Sequence, residues 1–199
     1  MTRGMLIVVE GADGTGKSTI VHQLAEQFGL RCAREPGGVP VCEKIRELLL
    51  TNKFARKTQA LLFIASRMEF VSQFLERTLA NGENVVLDRY LYSTLAYQAG
   101  VLSSEVFEYL HADMPVPDVL IYLEADAQTA LKRVTQMTVF EEEGIEAYRQ
   151  RQSDYQSAID YARKAGVNAH VIDANESFEH VYQNVVRVLS CENPSLFVV

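Results

Sequence analysis

Residues 7–24, IVVEGADGTGKSTIVHQL, combine glycine, lysine and hydroxyl side chains at a spacing that can bind phosphate. Gly11, Gly16, Lys17 and Ser18 satisfy the pattern G-x-x-x-x-G-K-S, for which chance would give about two matches per thousand chains of this composition. Glycine lets the backbone turn its N–H groups toward phosphate oxygens at the start of a helix, whose dipole favours an anion. The segment therefore predicts a binding site for a nucleoside triphosphate.

Two side chains of this motif have roles that follow from their chemistry. The Lys17 ammonium would reach the β- and γ-phosphates, and the Ser18 hydroxyl would hold Mg²⁺. The alternative interpretation is a glycine-rich turn followed by an exposed lysine. The apolar run before the motif and the helical pattern after it favour the phosphate-binding loop.

Three arginines occupy positions from which they could bind a second anionic ligand. Arg34 and Arg89 lie with Asp88 at the ends of apolar segments, and ligands of parallel α/β sheets bind beyond the carboxyl ends of the strands. Two arginines can bind a phosphate dianion in bidentate fashion. Arg67 follows Phe63 by one helical turn, so a ring could stack on a base while a guanidinium donates to its carbonyl edge. Phe63 taken alone is better explained as core, since ALLFIA is apolar throughout, and its spacing from Arg67 makes base stacking an equal alternative.

A phosphate-binding loop alone does not separate kinases, GTPases, other ATPases and binding modules. The chain contains no N-K-x-D motif, which disfavours a guanine-specific G-protein. The extra arginines favour a kinase with a small phosphorylated acceptor. A nucleotide-binding protein without catalysis stays open as an alternative.

The elements that must position these residues can be predicted from hydrophobic patterns. Strands are predicted at 5–10, 31–34, 84–88, 119–125 and 169–173. Helices are predicted at 17–28, 41–50, 57–80, from 127 onward, at 145–165 and from 177 onward, with further helical stretches from about 91 to 112. Continuous apolar strands that alternate with helices indicate a parallel sheet covered on both faces, hence an α/β fold. No repeat or linker interrupts the pattern, so residues 1–199 are predicted to form a single domain.

Composition narrows the classes of partner. The formal net charge of −7 disfavours nucleic acid and anionic membranes, which bind clustered lysine and arginine. The three cysteines show no metal-ligand spacing and indicate reduced thiols. No signal peptide is recognisable, and no apolar run approaches the roughly 20 residues that span a bilayer. We expect a soluble cytoplasmic protein without a membrane or nucleic-acid partner.

Five segments, EGADGTGKST, REPGG, LLFIASR, LDRYLYSTLAYQ and PDVLIYLEAD, resemble thymidylate kinases in their order and spacing. The resemblance covers about residues 5–175. It implies the P-loop NTPase fold, in three layers, with a five-stranded parallel sheet flanked by helices and a short lid at about 136–146. It also implies transfer of the ATP γ-phosphoryl group to dTMP with Mg²⁺, giving dTDP and ADP, in a homodimer formed through helices near the first half of the sheet.

The resemblance also implies a role for each matching residue. ATP would be bound by Gly11, Ala12, Asp13, Gly14, Thr15, Gly16, Lys17, Ser18, Thr19 and Arg133. The acceptor nucleotide would be bound by Asp13, Arg34, Pro36, Phe63, Arg67, Arg89, Ser93, Thr94, Tyr97 and Gln98. Catalysis would depend on Lys17, Asp13, Arg89 and Arg133, and the metal would be held by Ser18 and Asp88.

Within the acceptor site, the resemblance divides the residues by the part of dTMP that they contact. The monophosphate is assigned to Arg34 and Arg89, the thymine ring to Phe63, its O4 to Arg67, its N3 to Thr94 and the 2′ carbon to Tyr97. Taken one at a time, several have structural alternatives. Ser93 or Thr94 could cap a helix, Tyr97 could pack in the core, and Asp88 could form a surface ion pair.

The lid departs from the family pattern. The phosphate loop lacks an arginine, and Thr138-Val139-Phe140-Glu141 stands where the family carries lid arginines. Candidates to replace them are Lys132, Arg133, Arg149 and Arg151. Because Arg149 and Arg151 are two residues apart on a helix, they cannot both face one point. A missing arginine could cost ~10³ in rate, which leaves a catalytically weak regulatory protein as one alternative. A divergent relative with the same fold could instead be a broad-specificity deoxynucleoside monophosphate kinase, which is the other alternative.

Overall fold

A computed structural model describes residues 2–134 and 144–197 of the chain. Within these residues, one parallel sheet contains five strands in the order β2–β3–β1–β4–β5. The strands are β1 (Leu6–Gly11), β2 (Arg31–Arg34), β3 (Val85–Asp88), β4 (Val119–Glu124) and β5 (Asn168–Asp173). The predicted α/β fold with a five-stranded parallel sheet is confirmed.

Helices connect the strands and cover both faces of the sheet. They are α1 (Lys17–Phe28), α2 (Pro40–Thr51), α3 (Arg56–Phe70), α4 (Glu76–Ala80), α5 (Leu91–Tyr97), α6 (Ser104–His111), α7 (Ala127–Arg133), α8 (Gly144–Lys164) and α9 (Phe178–Glu192). A π-helical turn, Val71–Leu75, joins α3 to α4, so the predicted helix at 57–80 is continuous but not uniformly α-helical. No described helix has the length and apolar character needed to cross a membrane.

The core has two halves because successive side chains of a strand point to opposite faces of the sheet. Leu6 and Val8 of β1 pack in a cluster that includes Tyr155 of α8. Ile7 and Val9 pack in the opposite cluster with residues of α1 and α9. Helices on both sides of the sheet thus form the predicted three layers.

The helical stretches predicted between 91 and 112 are two helices in the structure, α5 and α6. Gly100 lies between them with φ 70°, a left-handed conformation that does not continue an α-helix. The chain enters α6 at Ser103, whose side chain accepts a hydrogen bond from the Val106 N–H at 3.4 Å. The break turns α6 back toward α3, which places His111 beside Arg67.

Parallel pairing brings the carboxyl ends of the strands to one edge of the sheet. Asp88 of β3 pairs in register with Val9 of β1 and with Arg34 of β2. The glycine loop after β1, Glu35 after β2 and Arg89 after β3 therefore lie side by side. The residues expected to form the lid, Thr138, Val139, Phe140 and Glu141, lie outside the described residues.

Candidate active site

The loop between β1 and α1 has a backbone shape that requires glycine at two positions. Gly14 has φ 83° and Gly16 has φ 91°, in the left-handed region that favours glycine. A Cβ at Gly14 would also collide with the backbone carbonyl of Ala130, whereas the space around Gly16 is open. Gly16 caps α1 without a side-chain acceptor, so the first N–H groups of that helix are placed to bind an anion.

Hydroxyl and ammonium groups of the loop bond back to its backbone. The Thr15 hydroxyl donates to the carbonyl of Ala12 at 2.9 Å, and Lys17 Nζ donates to the same carbonyl at 2.7 Å. Lys17 is 5% exposed and lies 3.9 Å from Asp13 Oδ1. Burial, followed by the charge on Arg89, lowers the pKa of the Lys17 ammonium. A buried ammonium that is not fully compensated favours an anionic ligand at this point.

A hydroxyl and a carboxylate meet at the start of α1. The Ser18 hydroxyl donates to Asp88 Oδ2 at 2.5 Å, while Thr19 is exposed on the same turn. The other carboxylate oxygen, Asp88 Oδ1, is buried without a hydrogen-bond partner among the described residues. Mg²⁺ prefers carboxylate and hydroxyl oxygens and keeps phosphate oxygens and waters as further ligands. Ser18 and Asp88 therefore fit the predicted metal.

Arg89 is held between the phosphate loop and the helices opposite it. Its φ of 72° is uncommon for a residue other than glycine. Its guanidinium donates to Asp13 Oδ1 and to the Tyr155 hydroxyl, each at 2.8 Å, and to the Gly11 carbonyl at 3.0 Å. These contacts fix a cation beside the phosphate loop and link β3 to α8.

A buried carboxylate that the sequence analysis missed stands behind Arg89. Glu10 is 0% exposed and accepts hydrogen bonds from the hydroxyls of Ser93 at 2.6 Å and Tyr155 at 3.1 Å. Both hydroxyls also contact Arg89. Burial raises the pKa of Glu10, and the nearby charge of Arg89 opposes that rise. The available signal was a glutamate at the end of an otherwise apolar strand.

A cavity opens beside the phosphate loop and contains all the predicted acceptor-binding residues except Arg34. Its lining consists of Asp13, Glu35, Pro36, Arg46, Leu50, Phe63, Arg67, Arg89, Ser93, Thr94, Tyr97 and Gln98. The segments that contribute are the loops after β1, β2 and β3 and the helices α2, α3 and α5. The fold thus brings together residues that are up to 85 positions apart in the sequence, since the lining runs from residue 13 to residue 98.

The structure places Arg46 of α2, and not Arg34 of β2, at the cavity. Arg34 is half-exposed and pairs with Glu43 at 3.0 Å, and it does not line the cavity. Arg46 lines the cavity and donates to the Pro36 carbonyl at 3.0 Å. The sequence analysis missed Arg46. The signal was its spacing from buried Cys42 and Leu49, which puts it on the inward face of α2.

Arg67 lines this cavity and is 2% exposed. Its Nε donates to Glu35 Oε2 at 2.5 Å, and Nη1 donates to the Thr94 hydroxyl at 3.0 Å. Burial raises the pKa of Glu35 to about 7 although Arg67 opposes the rise. Phe63, one turn earlier on α3, lines the same cavity. Phe63 and Arg67 therefore share one face of α3, as predicted.

Tyr97 lies between the phosphate loop and α8. Its hydroxyl donates to Asp13 Oδ2 at 3.1 Å, and the Arg89 guanidinium lies 5.2 Å from its ring centroid. The buried guanidinium of Arg151 lies 4.9 Å from that centroid. Arg149, in contrast, is exposed and pairs with Glu146 at 2.7 Å. Of the two arginines considered on α8, Arg151 faces the site.

A second cavity lies at the start of α1 and is bordered by Arg133. Its lining residues are Thr15, Gly16, Ile20, Arg133, Ala174, Glu176, Ser177, Phe178 and Val181. The Arg133 guanidinium donates to the carbonyls of Ala174 at 2.7 Å and of Asn175 and Glu176 at 3.2 Å each. These bonds hold a planar cation at the cavity. Lys132 is exposed.

A parallel α/β sheet with a glycine-rich phosphate loop, and with a cation-lined cavity beside that loop, defines the class of P-loop kinases that act on small phosphorylated acceptors. The family model described as "Thymidylate kinase" matches residues 9–185. The chain therefore belongs to the thymidylate kinase family, which confirms the expected activity, ATP-dependent phosphorylation of dTMP, at the level of the family. The two alternatives to it are not favoured.

Individual relatives agree with the family match. A thymidylate kinase from Fervidobacterium nodosum is 31% identical over 198 residues, covering 94% of this chain and 98% of that protein. One from Chlorobium chlorochromatii is 35% identical over 207 residues, covering 98% of this chain and 85% of that protein. A crystal structure of thymidylate kinase from Ehrlichia chaffeensis, 26% identical, superposes with a TM-score of 0.76 and covers 94% of this chain and 99% of its own.

Proposed function

We propose that the chain holds ATP and dTMP on opposite sides of the phosphate loop and transfers the γ-phosphoryl group between them. The observation that carries this proposal is the position of Asp13. It belongs to the phosphate loop, lines the acceptor cavity and contacts Arg89. An acceptor in that cavity would present its phosphate to the triphosphate at the loop.

We assign the acceptor phosphate to Arg89 and Arg46. Both guanidinium groups line the cavity, and a pair of arginines can bind a phosphate dianion in bidentate fashion. Arg34 would have to leave its ion pair with Glu43 before it could contribute. The base would lie at the opposite end, against the Phe63 ring and within reach of Arg67 and Thr94, while the Tyr97 ring would restrict space at the sugar.

The transfer step needs positioning and charge neutralisation more than covalent chemistry. Lys17 and Arg89 would neutralise the phosphate oxygens of donor and acceptor. Mg²⁺, held by Ser18 and Asp88, would supply further positive charge to the β- and γ-phosphates when bound. Arg151, directed toward the site from α8, would replace the arginine that the phosphate loop lacks.

The adenine base of ATP would bind in the second cavity. The Arg133 guanidinium is fixed there by three backbone carbonyls, so it can offer its planar face to a purine ring. The proposed contribution of Arg133 is therefore a contact with the adenine ring. A direct catalytic contribution of Arg133 at the phosphates stays a prediction.

We also propose that the chain forms a homodimer through α2 and α3. Val41 and Leu48 of α2, and Leu61 and Met68 of α3, are large apolar side chains that are between 40% and 50% exposed. Each pair is seven residues apart, so its members lie on one face of their helix. The net charge of −7 supports an absence of nucleic-acid partners, and the free thiols of the described cysteines support the predicted cytoplasmic location.

A coupled assay of ADP release tests the proposed specificity. With ATP and Mg²⁺, we expect dTMP to give the highest kcat/KM in a panel with dUMP, dCMP, dAMP and dGMP. Arg89→Ala should raise the KM for dTMP by at least about tenfold, since a charge-assisted contact to the acceptor phosphate is lost. Similar turnover of all five acceptors would contradict the proposed base site. Binding of ATP and dTMP by calorimetry without turnover would contradict the proposed transfer.

A further inference from the structure

Arg67 has five N–H donors, and four of them are already used. Nε donates to Glu35, Nη1 donates to Thr94 and contacts His111, and Nη2 donates to the Tyr90 carbonyl at 3.0 Å. Among residues 2–134 and 144–197, no acceptor is found for one N–H of Nη2, on a side chain that lines the acceptor cavity. The direction of that N–H depends on the partners that hold the guanidinium plane.

His111 is the partner that the proposed function does not yet use. It is the last residue of α6, is 8% exposed and does not line the acceptor cavity. Its Nδ1 lies 2.7 Å from the Phe107 carbonyl, which can only accept, so Nδ1 carries the proton. Nε2 is then a lone-pair acceptor, and it lies 3.1 Å from Arg67 Nη1.

The surroundings keep this imidazole neutral and in place. The His111 ring stacks on Phe107 with centroids 4.1 Å apart. Burial and the neighbouring charge of Arg67 lower the pKa of His111 to about 4. A neutral acceptor satisfies one Arg67 donor without adding a second carboxylate beside Glu35. The positive charge of the guanidinium is therefore not offset further before a ligand binds.

We propose that His111 is a positioning residue for base recognition. It accepts from Arg67 Nη1 and thereby holds the remaining Nη2 N–H toward the carbonyl at position 4 of a pyrimidine. A 4-amino group would meet this donor with another donor, so cytosine is rejected. The inference rests on the proposed role of Arg67 as the residue that contacts the base.

Two substitutions of similar size separate positioning from packing. In His111→Gln, the side-chain amide oxygen can accept where Nε2 did. In His111→Met, the volume is retained but the acceptor is lost. We expect His111→Met to lower the ratio of kcat/KM for dTMP to that for dCMP by about tenfold or more, mainly through the KM for dTMP, because a hydrogen bond to a charged group is lost. His111→Gln should keep the ratio within about threefold, and the KM for ATP should not change in either variant.

Two further variants complete the test: one controls for lost stability, and the other shows which proposal fails if the ratio does not change. Phe28→Leu weakens an aromatic contact in the opposite half of the core and should lower thermal stability without changing the ratio. If Arg67→Met leaves the ratio intact, the proposed base contact of Arg67 is wrong. If Arg67→Met abolishes the discrimination and His111→Met does not, only the role of His111 is overturned.

A measurement on the unsubstituted chain covers the case in which His111→Met does not fold. In ¹⁵N-histidine NMR spectra, the His111 signals, assigned by their loss in His111→Gln, should show the neutral tautomer with the proton on Nδ1 and should not titrate near pH 6.5. A proton on Nε2, or ordinary titration, would overturn the inference because Nε2 would then not accept from Arg67.

Discussion

Charged residues of the site lie beside an opposite charge, in one pair that is buried and one in which Asp13 is 40% exposed. Glu35 faces Arg67, and Asp13 faces Arg89. Because both side chains of the Glu35–Arg67 pair are 3% exposed, removal of one member leaves a buried charge without compensation, which costs more than the pair itself stabilises. Substitutions that retain shape, such as Glu→Gln, therefore report on function more cleanly than truncations at these positions.

Lys17→Ala should lower kcat by about 10²–10³ with little change in the KM for dTMP. The physical reason is that the ammonium stabilises charge that develops on the transferred phosphoryl group. Steady-state kinetics with both substrates varied measures the effect. Lys164→Ala, at the exposed end of α8, is the matched control and should leave kcat unchanged. An unchanged kcat in Lys17→Ala would contradict the assigned role.

Glu35 and His111 should give stability opposite dependences on pH. The folded-state pKa of Glu35 is raised from 4.5 to about 7, so its contribution to stability falls as pH rises through that interval. The folded-state pKa of His111 is lowered from 6.5 to about 4, so its contribution falls as pH drops through that interval. The two slopes oppose each other between pH 4.5 and 6.5.

Glu35→Gln removes the first of these two slopes. From pH 5 to pH 8, we expect the free energy of unfolding of the unsubstituted chain to fall relative to that of Glu35→Gln by up to about 3 kcal/mol. Urea unfolding of both proteins at each pH gives the difference. Parallel pH profiles would show that Glu35 titrates with an ordinary pKa.

At the scale of elements, the faces of the helices decide which charged residues reach the site. On α8, Arg149 and Arg151 differ by about 200° around the helix axis, and only the second packs against Tyr97. The described part of the same helix also brings Tyr155 to Arg89. α8 thus contacts both Tyr97 and Arg89, although both residues precede it by a long stretch of sequence.

Arg151→Met should lower kcat by at least about tenfold, whereas Arg149→Met should not change it. Both variants remove a charge and keep a long side chain, so they differ in the face of α8 from which the charge is lost. Single-turnover phosphoryl transfer with saturating ATP and dTMP measures the step directly. Equal rates for the two variants would show that Arg151 does not act on the transferred group.

At the scale of the whole molecule, α2 contributes both to the acceptor cavity and to the apolar face that it forms with α3. Arg46 on the inner face of α2 lines the acceptor cavity, and Val41 and Leu48 are exposed on the same helix. Contact between two copies through this face would therefore stabilise a wall of the acceptor site. Association and acceptor binding should be linked.

Leu61→Glu combined with Met68→Glu should convert a dimer into a monomer and raise the KM for dTMP. Charges buried in an apolar interface are not compensated there, so association weakens. Light scattering coupled to size-exclusion chromatography measures the mass. Tyr109→Glu, on an 82% exposed side chain of α6, is the control and should leave the mass unchanged. A monomer before substitution would refute the proposed dimer.

Local patterns were sufficient to predict the phosphate loop and most elements. The glycine spacing, the apolar runs and the cap of α9 at Ser177 each act through backbone geometry within a few neighbouring residues. Helical stretches were predicted between 91 and 112, but the point at which α5 ends and α6 begins was not, because the apolar pattern continues across Gly100. Residues that line the cavity could be predicted from sequence where they lie within a recognisable segment, as Phe63, Thr94 and Tyr97 do.

The sequence by itself determined the alternation of strands and helices, the phosphate loop and the resemblance to thymidylate kinases, because these depend on short-range order. Tertiary structure alone decided that Arg46 lines the cavity while Arg34 pairs with Glu43, and that Arg151 faces the site. It also placed His111 on Arg67, 44 residues away. The physical reason is that the direction of a long polar side chain depends on which donors and acceptors from distant segments surround it, and only the packed fold assembles those surroundings.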